Sequence, residues 1–166
     1  PYCVGQAPVH YSEFNTGRHF NKEQPDNRFQ SRYLDIPNDP LYPFGYGLSY
    51  AQFTYSDVKL SSDVLTRGGQ ITASVTVKNT GACTAKEAVQ LYIRDDKGSV
   101  VRPVRELKGF EKITLEEGEE KEVSFVITED MLKFHDINMD FVAEAGTFTV
   151  YIGGDSNTQN QASFKL

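Results

Sequence analysis

The chain has 166 residues, a formal net charge of −6, 39% hydrophobic and 24% charged side chains, and no tryptophan. That length supports one ordinary domain, or one domain with a shorter appendage, and the apolar fraction excludes a disordered tail. No run approaches the ~18 apolar residues of a membrane span, and the acidic balance gives no electrostatic reason to bind nucleic acid or an anionic membrane.

Residues 1–50 hold six of the seven prolines and six of the nine tyrosines. Proline fixes one torsion and withholds a donor, so regular structure is not expected over most of this arm. Only Val4 to Tyr11 reads as a short strand, which Pro8 confines to an edge or a strand end. Tyr2, Val4, Phe14, Phe20, Phe29 and Leu41 are apolar side chains without a local core, and such a loop packs on a neighbouring domain. The first residue is Pro1, with no basic and apolar leader behind it, which reads as a processed product or a piece of something larger.

From Phe53 onward the pattern changes to period-two alternation. Ile71, Ala73, Val75 and Val77 alternate with polar residues, as do Val89, Leu91 and Ile93, then Val123, Phe125 and Ile127, then Phe148, Val150 and Ile152. Half-buried strands have this pattern. Turn signals separate them at Asn79-Thr80-Gly81, Asp95-Asp96-Lys97-Gly98, Glu117-Gly118 and Gly153-Gly154-Asp155. Around Gly109 the inward parity slips from Leu107 to Phe110 and back to Ile113 and Leu115, which predicts a bulge. One short helical turn is expected from Glu129 to Phe134, capped by Thr128 and favoured by Glu129 and Asp130 at its positive end. About seven strands over residues 51–166 predict an antiparallel two-sheet sandwich behind an irregular arm. The immunoglobulin tryptophan and cysteine pair are missing, so the fibronectin type III-like variant fits better. Cys3 and Cys83 are read as two small buried thiols, a disulfide between them being the alternative.

Chemistry is hard to find in these residues. His10, His19 and His135 share no ligand spacing with one another or with the cysteines, so no metal site is expected. Asp95, Asp96 and Gly98 lack the alternating oxygens of a calcium loop and read as an acidic hairpin tip. No nucleophile elbow occurs, and Phe44-Gly45-Tyr46-Gly47-Leu48 has no helix or lysine to make it a phosphate loop; it reads as a tight, packed connector. Glu116, Glu117, Glu119 and Glu120 crowd a hairpin, where an exposed carboxyl lacks the pocket that would raise its pKa for acid–base work. Tyr92 and Tyr151 fall on the outward parity and read as ordinary surface residues rather than a sugar platform. No catalytic residue and no cofactor are expected.

Several blocks carry a resemblance. Val4-Gly5-Gln6-Ala7-Pro8-Val9-His10-Tyr11, Asn15-Thr16-Gly17-Arg18, Ser31-Arg32-Tyr33-Leu34-Asp35 and Pro40-Leu41-Tyr42-Pro43-Phe44-Gly45-Tyr46-Gly47-Leu48-Ser49-Tyr50 resemble the C-terminal region of glycoside hydrolase family 3. Val77-Lys78-Asn79-Thr80-Gly81, Gln90-Leu91-Tyr92, the run from Arg102 to Lys112, and Ala145-Gly146-Thr147-Phe148 resemble its terminal fibronectin type III-like domain. The nearest likeness is to bacterial periplasmic β-glucosidases.

The resemblance implies that residues 1–50 are the tail end of an α/β sandwich domain plus a connector, and that residues 51–166 are the fibronectin type III-like domain. It implies a retaining β-glucosidase as the parent, acting in carbohydrate metabolism in the periplasm or as a secreted enzyme. The aspartate nucleophile and glutamate acid/base would lie upstream, so this segment alone is expected to be inactive. The implied partners are the barrel and α/β sandwich domains of the same polypeptide, with dimer contacts as a further role. Within the arm, Asn15, Arg18, Arg32 and Tyr33 are candidates to line the active-site mouth, since arginine and tyrosine suit sugar hydroxyls. The competing reading of the sandwich is a carbohydrate-binding or adhesion module.

Overall fold

A computed structural model describes residues 1–7, 9–14, 18, 24 and 27–166. All ten of its strands lie between Phe53 and Lys165. They are β1 (Phe53–Tyr55), β2 (Lys59–Leu60), β3 (Gln70–Asn79), β4 (Ala85–Asp95), β5 (Glu106–Leu115), β6 (Glu120–Thr128), β7 (Phe134–His135), β8 (Phe141–Val142), β9 (Thr147–Gly153) and β10 (Gln161–Lys165).

Two antiparallel sheets face each other. In the first, β3 is central: β6 pairs along one edge, while β1 and β2 share the other. The second runs β10-β9-β4-β5. After β2 the chain changes sheets, and Val64 bridges Lys165 at the outer edge of β10. The unpaired edge of β10 is thereby partly covered, which protects against edge-to-edge association.

The alternation that predicts the strands also builds the core. Ile71, Ala73, Val75 and Val77 of β3 are all buried, as are Val89, Leu91 and Ile93 of β4 and Phe148, Val150 and Ile152 of β9. Period-two side chains from both sheets meet there, as in an aligned sandwich. Phe148 and Phe164 stack with centroids 5.6 Å apart.

The bulge occurs where the parity slip predicts it. Leu91 pairs with Gly109 but Tyr92 pairs with Leu107, which leaves Lys108 as the extra residue. Phe110 is a correction, because it faces outward and is 70% exposed. Gly109 takes the inward place, where a Cβ would lie 3.4 Å from the Phe125 ring.

Three local expectations also change. Described residues between Val4 and Tyr11 form turns and open chain rather than a strand, and Val4 is exposed. Among the described residues, no strand lies alongside this stretch to supply the ladder that Pro8 would have limited. The short helix is a single 3-10 turn, Glu129–Leu132, and the Thr128 side chain makes no capping bond. Cys3 and Cys83 are free and exposed rather than buried.

Asn79 closes the top of the sandwich. Its carboxamide is fully buried, donates to Cys83 O at 2.8 Å and Leu115 O at 3.1 Å, and accepts from Gly81 N at 2.9 Å. Gly81 lies against the chain entering β1, where a Cβ would be 2.7 Å from the Ala51 Cα.

Candidate functional site

The outer face of the second sheet carries a cluster of buried polar and aromatic groups. On β4, Gln90 and Tyr92 point away from the core, yet they are 5% and 0% exposed. Tyr151 on β9 is 6% exposed. Their reading as surface tyrosines is therefore corrected. Parity places them outward; Tyr11 of the arm then packs on Tyr92, and the Arg105 guanidinium lies over Tyr151.

Tyr11 packs edge-on against Tyr92 at 5.9 Å and stacks on Phe44 at 4.2 Å. Edge-to-face and stacked pairs at such distances add to the burial of the rings. Phe14 bridges Pro103, and Val104 N donates to Glu13 O at 2.8 Å. Farther along, Ser156 N donates to Phe44 O at 2.8 Å. The arm is thus pinned to the segment before β5, to β4 at Tyr92 and to the turn after β9.

Gln90 is the centre of this contact. Its Nε2 donates to Gly45 O at 3.2 Å and to Gly154 O at 2.5 Å, while its Oε1 accepts from the Tyr92 hydroxyl at 2.5 Å. Gly45 has φ +82°, and a Cβ there would lie 2.1 Å from Gln90 Oε1. Glycine suits this position twice, by conformation and by space. Burial pushes the Tyr92 hydroxyl well above its ordinary pKa, so it stays a donor.

Arg105 closes the far side. Its guanidinium lies 4.1 Å over the Tyr151 ring, and Nη1 donates to Ser156 O at 2.6 Å and Thr158 O at 3.0 Å. Burial lowers its pKa from the ordinary arginine range without threatening its charge. The planar fork serves two carbonyls and one ring at once.

Of the predicted lining residues, Arg18, Arg32 and Tyr33 are described, all on the arm. Asn15 lies outside the described residues. Arg18 and Arg32 are exposed, and Ser31 N donates to Arg18 O at 2.8 Å, which brings the two arginine segments side by side. The Tyr33 hydroxyl accepts from Ala7 N at 2.7 Å, and Tyr33 N donates to Asn38 Oδ1 at 3.0 Å. Gln6 is buried and donates to Pro37 O at 3.1 Å, tying the two halves of the arm together.

The Asp95 loop holds a cleft of about 220 Å³ lined by residues 94–98, Val100 and residues 102–104. Asp95 is raised above the usual carboxylate range by burial, and Arg102 Nε lies 3.8 Å from its Oδ2. Arg102 also caps the Phe134 ring at 4.3 Å and pairs with Glu106 at 2.8 Å. An ion-pair network of Asp95, Arg102 and Glu106 thus lies along the loop. Among the described residues, no group of three His, Cys, Asp or Glu could hold a metal, and no helix is long and apolar enough to cross a membrane.

Residues 87–156 match the fibronectin type III-like domain model. The whole chain is 54% identical to a periplasmic β-glucosidase of Salmonella typhimurium, covering 22% of that protein. It is 41% identical to a β-xylosidase of Formosa agariphila, again covering 22% of the relative. The chain belongs to glycoside hydrolase family 3. The crystal structure of a β-glucosidase from Listeria innocua in complex with glucose superposes with a TM-score of 0.90 at 40% identity, over 97% of this chain and 22% of that one. The chain spans about a fifth of the length of these relatives and corresponds to their C-terminal end. That superposition takes in 97% of this chain and so includes both the arm and the sandwich.

Proposed function

We propose that the chain is the C-terminal accessory part of a retaining β-glucosidase, inactive alone, which joins the sandwich to the remainder of a longer polypeptide. The observation that carries this reading is the two-sided arm. One side is locked to Gln90, Tyr92 and Pro103, while Val4, Leu34, Leu48 and Tyr50 are each at least 90% exposed. Exposed apolar side chains on a loop fixed in place suit a surface that another domain covers. In this reading residues 1–50 complete an α/β sandwich domain and residues 51–166 form the accessory module. The catalytic aspartate and glutamate stand in the barrel and α/β sandwich upstream, and the enzyme works in the periplasm or outside the cell.

Within the longer enzyme, Asn15, Arg18, Arg32 and Tyr33 help to line the active-site mouth. The adjacency of Arg18 and Ser31-Arg32, and the Tyr33 hydroxyl held by Ala7, support this placement. Arg32→Ala in the intact enzyme is expected to lower kcat/KM for a β-glucoside, and an unchanged value sinks the lining role. The burial of Tyr92 and Tyr151 removes the platform on which the sugar-binding reading of the sandwich depended.

A further inference from the structure

We infer that the turn joining β9 to β10 is a pH-sensitive catch on the arm, set by the ionisation of Glu87. This does not depend on what the longer polypeptide hydrolyses.

The turn does three things at once. Ser156 N holds Phe44 O, Gly154 O accepts from the same Gln90 amide that holds Gly45, and Arg105 ties down the Ser156 and Thr158 carbonyls. Beneath it stands Glu87 of β4, which shares the inward parity of Val89 and Leu91. The Tyr55 hydroxyl donates to Glu87 Oε1 at 2.7 Å. Gly154 presses against the same oxygen, with its missing Cβ position only 2.7 Å away. The turn therefore closes directly over a half-buried carboxyl.

The groups that bear on that carboxyl are Tyr55 from β1 and Asp155 from the turn itself. Asp155 carries a like charge. Arg105 of the same cluster is engaged with carbonyls and the Tyr151 ring, and no Lys or Arg pairs with Glu87 among the described residues. Burial pushes the Glu87 carboxyl above the usual carboxylate range, whereas lifting the turn would return it to water and its ordinary value. The closed turn thus binds a proton that the open turn releases. By linkage, closure strengthens as pH falls through the raised value and weakens as pH rises through it.

The test is amide hydrogen exchange at Ser156 in the 166-residue chain between pH 5 and pH 7.5, corrected for intrinsic rates, with the Val75 amide as a core reference. The expected result is a severalfold rise in Ser156 opening at the higher pH, no matching rise at Val75, and a flat profile in Glu87→Gln. A flat wild-type profile, a parallel rise at Val75, or a wild-type slope retained in Glu87→Gln overturns the catch. Should Glu87→Gln not fold, Asp155→Asn decides: a reduced slope supports the catch and an unchanged slope overturns it.

Discussion

Gln90 reaches out of β4 and closes on Gly45, donating to its carbonyl at 3.2 Å and leaving no room for a side chain there. One carboxamide thus joins an irregular arm to a regular sheet. Gly45→Ala is expected to break that junction. A left-handed alanine costs about 1–3 kcal/mol, and the clash with Gln90 adds to it. Urea unfolding should show a lower midpoint, and the Ser156 amide should lose protection before the core does.

Asn79 offers a test of the sandwich itself. Asn79→Ala leaves the Gly81 N–H and the Cys83 and Leu115 carbonyls without their partner. The buried bond to Leu115 O is the costly loss, an unsatisfied buried group costing about 1–3 kcal/mol, while the Gly81 and Cys83 bonds are part-buried. The midpoint should fall with the slope unchanged, as expected for a pure stability loss.

Two phenylalanines separate the faces of the second sheet. Phe148→Ala removes a buried ring stacked on Phe164 and is expected to cost about 3–5 kcal/mol. Phe110→Ser acts on a side chain that is mostly in water, and should change stability by no more than about 0.5 kcal/mol. Equal losses would mean that the bulge at Lys108 is misplaced.

Arg105→Lys keeps the charge but loses the flat fork that serves Ser156 O, Thr158 O and the Tyr151 ring. Charge-assisted bonds of this kind contribute about 1.5–3 kcal/mol. The loss should appear as faster exchange in the turn at 153–160, with β3 unaffected.

The two sheets were legible because period-two alternation is a local signal with a single spatial meaning. The bulge was legible too, but not which side of it Phe110 would take, since a one-residue slip flips every face beyond it. Tyr92 and Tyr151 show a different limit. Parity tells which face a side chain leaves by, and it carries no information about Tyr11 returning onto Tyr92 or Arg105 returning onto Tyr151. The arm contact is built from backbone carbonyls, one glycine and ring stacking, and those groups have no spacing to detect. Its glycines did read as a tight packed connector, which is the part of the contact that local sequence encodes.

The central claim is that this chain works as part of a longer hydrolase. The most direct test is the size of the native polypeptide in source cells, probed with an antibody raised against residues 51–166. The account predicts a band about four to five times heavier than 18.7 kDa, in line with relatives of which this chain covers 20–22%. A single band near 18.7 kDa would contradict it and make the sandwich a module in its own right.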